Sequence, residues 1–271
     1  MSSLETAVTI LQCFTAATPD LAVSEVSKRV GVPKSTVSRV LRAMAANGLV
    51  EQHPGTRRYR VGLLPFRLGQ LYQAHVKVLE MVEAETAGLV EATGFTGYVS
   101  VLNGADIVIL RSRHGRYPVR MMLESGYRVA AFTTAVGKVL LARRSNAELL
   151  AMLPPVLTHD VTGLRKPISK FLAELDEVRA RMWADSRQET FPGIGAIGAA
   201  VGSADEQQPV GFSLSFPVSA APAMRHDEMI QLVVSAARRI AVKTADPVWQ
   251  RHIERSAASG RGQRVPASRA V

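Results

Sequence analysis

The sequence predicts an α+β fold of two domains, and three observations carry the prediction. Residues 24–62 hold two closely spaced helical patterns followed by a basic hairpin, the pattern of a winged helix-turn-helix. From about residue 95 the chain runs strands, then helices, then strands, the order of an antiparallel sheet with helices packed on it. The 271 residues, 47% of them hydrophobic, suffice for a small domain and one of ordinary size, each with its own core. The expected divisions are a first domain over 1–62, a linker helix over 63–77, a second domain over 78–250 and a disordered basic tail over 251–271.

In the first domain, Ser24 is the expected N-cap of a short helix with Val23, Val26 and Val30 on one side, and Gly31 is its expected left-handed stop. Pro33 suits the first turn of the next helix, where Val37, Val40, Leu41 and Met44 recur at i, i+3, i+4 and i+7 as a buried stripe. That leaves Lys34, Ser35, Thr36, Ser38, Arg39 and Arg42 on the open side. Hydroxyls suit phosphate oxygens and arginines reach base edges, so this face fits a DNA major groove. Asn47-Gly48 ends the helix, Leu49 to His53 reads as a strand, Pro54-Gly55-Thr56 as a turn, and Arg57 to Val61 as the returning strand. Arg57 and Arg58 at the hairpin tip are placed for phosphate contact.

Phe66, Leu68, Leu71 and Tyr72 recur at roughly helical intervals in the linker, and a second amphipathic run from Val78 ends at Thr93-Gly94. Phe95 to Leu102, Asn103-Gly104 and Ile107 to Ser112 read as a hairpin, and Val119 to Leu123 as a further strand. Thr133-Thr134 cap a helix carrying Val139, Leu140 and Leu141, and Ile168 to Met182 forms another helix. Strands near Ala196 to Val201 and Val210 to Val218 precede a helix from about Met224 to Val242.

Charge and composition narrow the function. The formal net charge is +10, and within residues 1–62 Lys28, Arg29, Lys34, Arg39, Arg42, Arg57, Arg58 and Arg60 face only Glu5, Asp20, Glu25 and Glu51. In the tail, Arg251, Arg255, Arg261, Arg264 and Arg269 oppose Glu254 alone without an apolar period. Cys13 is the only cysteine, so internal disulfides and zinc ribbons are excluded; it reads as a small core residue. The six histidines show no metal-ligand spacing, and no metal or cofactor is expected. With no leader pattern and no apolar run of about 20 residues, a cytoplasmic protein without a membrane partner is expected.

Two enzyme-like signals weaken on inspection. Gly193 to Gly198 fits GxGxxG, but a β-like run follows it and no acid lies about 20 residues on, so a dinucleotide site is not supported. Gly211-Phe212-Ser213-Leu214-Ser215 begins like a nucleophile elbow yet lacks the second glycine, and its alternation puts Ser213 and Ser215 on one strand face.

The chain resembles the IclR family of bacterial transcriptional regulators. The resemblance rests on Ala7-Val8-Thr9-Ile10-Leu11, Val32 to Leu41, Asn47-Gly48-Leu49-Val50-Glu51, Arg58-Tyr59-Arg60-Val61-Gly62, Thr134 to Ala142 and Pro209 to Ser215, and spans roughly residues 3 to 243. It implies a GAF-like second domain that binds small organic or aromatic acids, duplex operator DNA as partner, and self-association as dimers or tetramers. Carried over residue by residue, it implies an effector pocket lined by Ala135, Val136, Ser186, Ala196, Ser213 and Ser215. Free N–H groups at a helix start with hydroxyls opposite could hold a carboxylate without a buried cation. Met121, Met122 and Phe132 are candidates for an apolar wall. The resulting reading is a DNA-binding regulator under small-acid control, not an enzyme. Its rivals are an enzyme with an accessory winged helix acting on a small carboxylate, and a nucleoid-type protein that binds DNA without sequence preference.

Overall fold

The computed structural model describes residues 2–15, 17–75, 78–117, 123–205, 208–219 and 226–261. It divides into two compact units, Met1–His75 and Val76–Val271.

In the first unit, α1 (Ser3–Leu11), α2 (Val23–Val30) and α3 (Lys34–Ala46) pack through Ile10, Val26, Val37, Leu41 and Met44. Strands β1 (Asp20–Leu21), β2 (Val50–Gln52) and β3 (Tyr59–Val61) form an antiparallel sheet in the order β1-β3-β2, which closes the core with Leu21, Val50 and Tyr59. The predicted stripe of α3 is buried at all four positions, each contributing about 1.5–3 kcal/mol relative to exposure. Gly31 ends α2 at φ 67° as expected. Ser24 is not the cap. The helix starts at Val23 with Ala22 extended before it, and the Glu25 carboxylate accepts the Ala22 N–H at 2.7 Å. A two-residue strand shows no alternation, which is why β1 had no sequence signal. The expected linker is α4 (Leu63–His75), which exposes Leu63, Phe66, Leu68 and Leu71.

The second unit opens with α5 (Val78–Thr93), β4 (Thr96–Asn103), β5 (Asp106–Arg113) and β6 (Arg128–Ala130). A 3-10 turn, Ala131–Thr133, leads into α6 (Ala135–Leu141), α7 (Asn146–Met152), the hairpin β7 (Val156–His159) and β8 (Leu164–Pro167), and α8 (Ile168–Arg181). Then follow β9 (Ala184–Arg187), β10 (Ile194–Val201), β11 (Val210–Pro217), α9 (His226–Thr244) and α10 (Pro247–Arg261). Among the described residues the main sheet is six-stranded and antiparallel, ordered β6-β5-β4-β11-β10-β9. Both faces are covered. Phe95, Val99, Phe212 and Leu214 meet Val233 and Ala237 of α9 on one side, while Tyr98 and Ile109 meet α6 and α8 through Val136, Leu140, Phe171 and Leu175 on the other.

The second unit departs from the expected element order in places. Of the strand expected over Val119 to Leu123, residues 119–122, with Met121 and Met122, lie outside the described residues; Leu123 is in no strand, and Arg128–Ala130 supplies the edge. The elements α7, β7, β8 and β9 are additions to the expected order. The tail expected from residue 251 is helical through Arg261, and residues 262–271 lie outside the described residues. The anchor lies just before it. Trp249 is 2% exposed and donates Nε1–H to Ala200 O at 2.9 Å, and the Asp246 carboxylate accepts N–H groups from Val248 and Gly202.

Candidate functional site

On α3 the buried stripe fixes which side faces out. Lys34, Ser35, Arg39 and Arg42 are exposed, and Thr36 and Ser38 are half-buried beside them. The helix carries no acid, so three cations and three hydroxyls share its open face. Arg42 Nε lies 3.4 Å from Ser38 O, a marginal contact that leaves the guanidinium outward.

The wing separates its two arginines. Its turn is built on His53, whose Nδ1 accepts the N–H of Gly55 and of Thr56, each at 3.2 Å, while His53 O accepts Arg57 N–H at 2.9 Å. Arg57 stands exposed at the tip with φ 59°. Arg58 points back instead. Its Nε donates to Asp20 at 2.9 Å and its Nη2 to Glu25 at 2.7 Å, tying β3 to β1 and α2. The Ala22 N–H and then Arg58 hold the Glu25 carboxyl below its ordinary value. Arg58 is thus paired with local acids and ties the wing to the rest of the unit, whereas Arg57 is not held in this way. The local acids, Asp20 and Glu25, pull Arg58 inward.

In the second unit the sheet register assembles the other group. Ser186 pairs with Ala196 and Ala196 with Ser215, making one row across β9, β10 and β11; Ser213 pairs with Tyr98 in the next row. Paired residues share a face. The start of α6 lies over those rows because two glycines admit it: a Cβ on Gly198 would lie 3.0 Å from Val136 N, and one on Gly211 would collide with the Val136 side chain. The GxGxxG glycine at 198 therefore serves helix-on-strand packing. Ala135, Val136, Ser186, Ala196, Ser213 and Ser215 all line one cavity, together with Tyr98, Ile109, Leu123, Thr134, Thr190, Phe191 and Ile194. Phe132 does not; it packs edge-on against Phe171 and His159, a core position.

The cavity encloses about 520 Å³ with its mouth, little of which is wide enough for a water molecule, so it suits a ligand of a few heavy atoms. Thr134 Oγ1 accepts Gly137 N–H, Thr190 Oγ1 donates to Thr133 O, and Tyr98 Oη accepts Leu123 N–H. Burial pushes the Tyr98 phenol up, so it stays neutral. Ser186, Ser213 and Ser215 are 3–8% exposed, and among the described residues their hydroxyls have no hydrogen-bond partner. No charged side chain lines the space. Because α6 has only seven residues and Thr134 already caps it, the serines, more than the helix start, are the open polar groups of the cavity.

Tyr98 is absent from the residues expected at the pocket, although the alternation of β4 offers the signal. A buried charge cluster one turn along α6 has none. Lys138 Nζ bonds Glu189 at 2.5 Å, Glu174 at 2.7 Å and Asp185 O at 3.1 Å, and Lys166 Nζ bonds Glu174 at 2.6 Å and Glu189 at 3.2 Å. Burial raises Glu174, but the charge and hydrogen bond of Lys138 and then Lys166 outweigh it and hold the carboxyl below its ordinary value. Among the described residues, no three His, Cys, Asp or Glu side chains converge as a metal would require, and no helix is long and apolar enough to cross a membrane.

Comparison with known proteins agrees with both units. Residues 3–54 match the IclR helix-turn-helix domain and residues 70–242 the C-terminal domain of bacterial IclR transcriptional regulators. The chain is 29% identical over 239 residues to the HTH-type transcriptional regulator BhcR of Paracoccus denitrificans, covering 88% of this chain and 85% of that protein. It is 28% identical over 225 residues to KdgR of Escherichia coli, covering 83% and 86%. In fold it is similar to an IclR regulator from Alicyclobacillus acidocaldarius, with a TM-score of 0.73 at 23% identity over 89% of this chain and 96% of that one. It is also similar in fold to an IclR homologue from Microbacterium hydrocarbonoxydans solved with 4-hydroxybenzoate, with a TM-score of 0.72 at 15% identity over 90% and 99%. With a helix-turn-helix in one unit, a curled antiparallel sheet in the other and both matched by the family, this chain belongs to the IclR family of DNA-binding transcriptional regulators.

Proposed function

We propose that this regulator reads a specific operator through α3 and Arg57, and that a small organic acid held in the serine cavity modulates the binding. One observation carries the sensing half: three buried serines whose hydroxyls lack partners among the described residues converge on one cavity that no charged side chain lines. Hydroxyl donors there suit a carboxylate, as each charge-assisted hydrogen bond contributes about 1.5–3 kcal/mol. The small free volume favours short aliphatic acids; an aromatic acid such as the 4-hydroxybenzoate of the Microbacterium relative requires the cavity to widen. The ligand acts by binding one DNA-competent or DNA-incompetent state more tightly than the other, since equal affinity shifts nothing. The exposed apolar residues Leu63, Phe66 and Leu71 of α4 suit self-association.

Calorimetric screening of short oxo and hydroxy acids against benzoates tests the reading, with the Ser213→Ala/Ser215→Ala variant as control. A hit should weaken at least tenfold in the variant, which follows from the loss of one charge-assisted bond of about 1.5 kcal/mol. Equal affinity in both proteins would place the ligand elsewhere.

A further inference from the structure

We propose that the second unit has a second ligand site: an arginine-rimmed cleft between α6, α8 and α10 that takes a phosphorylated small molecule with an aromatic body, of the nucleoside-diphosphate kind. The cleft encloses about 1710 Å³ with its open mouth, against 520 Å³ for the serine cavity with its own, and shares no lining residue with that cavity. Its floor is apolar. Val139, Ala142, Val178, Met182 and Ala200 are each at most 9% exposed. Arg143, Arg144, Arg179, Arg251, Arg255 and His252 surround that floor, and no acid lines it.

Two of these arginines build the wall. Arg143 bonds Asp246 at 2.8 Å, and Arg179 bonds the carbonyls of Ala142 and Arg144 and the carboxylate of Asp176. Arg144 and Arg251 leave charge for a ligand. Arg144 meets Glu148 only at 3.3 Å and is 46% exposed, and exposed Arg251 has no hydrogen bond or ion pair among the described residues. Burial, and then the charges of Arg255 and Arg238, press the His252 pKa down. Arginine's planar fork matches phosphate oxygens. A concave apolar floor suits a ring and not a nucleic-acid backbone, and the volume exceeds what an inorganic anion fills.

Trp249 provides the readout, because its ring centroid lies 6.0 Å from that of His252. In full-length protein carrying Trp183→Phe, Trp249 is the sole tryptophan. ADP should change its fluorescence saturably, with calorimetry giving the same affinity, and should bind more tightly than either pyrophosphate or adenosine. Arg144→Ala/Arg251→Ala should weaken ADP by about two orders of magnitude, one for each charge-assisted hydrogen bond removed. Ser213→Ala/Ser215→Ala should leave ADP binding unchanged, which separates this site from the effector proposal. Absence of saturable binding, indifference to the arginine variants, pyrophosphate binding as tightly as ADP, or displacement of ADP by equimolar random-sequence duplex would each overturn the proposal.

Discussion

Replacing Lys138 by methionine tests how α6 is held against α8 and β9. The side chain is 2% exposed and bonds two carboxylates and a carbonyl, so methionine keeps its volume and removes its charge. Glu174 and Glu189 then share only Lys166. Breaking a buried pair on one side costs about 3–5 kcal/mol. Since the two glutamates are 26% and 20% exposed and keep a cation, the cost should sit near the bottom of that range, about 3 kcal/mol. Urea unfolding followed by Trp183 and Trp249, both in the second unit, measures it directly. Adding Glu189→Gln removes the surplus negative charge and should recover about 1 kcal/mol, a coupling typical of contacting residues. The pH dependence has a definite sign. Glu174 has a lowered folded pKa, so its contribution is complete above the unfolded value of about 4.3 and is lost as pH falls through the folded pKa. Lys166 has a raised one, because its bonds to Glu174 and Glu189 outweigh burial; its contribution is complete below about 10.4 and is lost as pH rises through the folded pKa. The methionine variant should therefore approach wild type as pH drops below about 4. A loss under about 1 kcal/mol at neutral pH, or one indifferent to acid, would refute the cluster's role.

Three other outcomes follow. Arg57→Ala should lower the slope of log affinity against log salt by about 0.9 for any duplex, whereas Arg58→Ala should leave the slope intact and lower the melting temperature of the first unit; the reverse pattern in salt titrations would exchange their roles. Gly211→Ala should destabilise the second unit by about 1–3 kcal/mol through overpacking against Val136, and unaltered urea unfolding would show that α6 yields freely. Asp246→Asn should cost the second unit stability at neutral pH but little in acid. Burial raises this carboxyl, yet Arg143 and the Gly202 and Val248 N–H groups lower it further, so its contribution disappears as pH falls through the depressed folded pKa; a pH-independent loss would contradict this.

Legibility in the sequence follows the range of the interactions. The α3 stripe, the Gly31 stop and the one-sided placement of Ser213 and Ser215 are periodic or local, and they are readable directly. Of the six cavity residues, Ser186, Ala196, Ser213 and Ser215 are brought together by strand register and Ala135 and Val136 by the seating of α6 over Gly198 and Gly211, which no window of sequence displays. Arg58 reads as a phosphate contact in sequence because Asp20 lies 38 residues away and pairs with it only once β1 joins β3. Lys138, Glu174 and Glu189 likewise meet across 36 and 51 residues, and the polar composition after residue 250 conceals a helix started by Trp249 and Asp246.

The central claim is sequence-specific DNA recognition by α3, and selection of bound duplexes from a random pool tests it whatever the operator is. Wild-type protein should enrich one common motif, and Arg39→Ala should lose preference at particular positions of it while remaining folded, at a cost of about 1–3 kcal/mol for the contacted base pair. Enrichment of no motif by wild type, or the same motif with equal strength in the variant, would contradict the account.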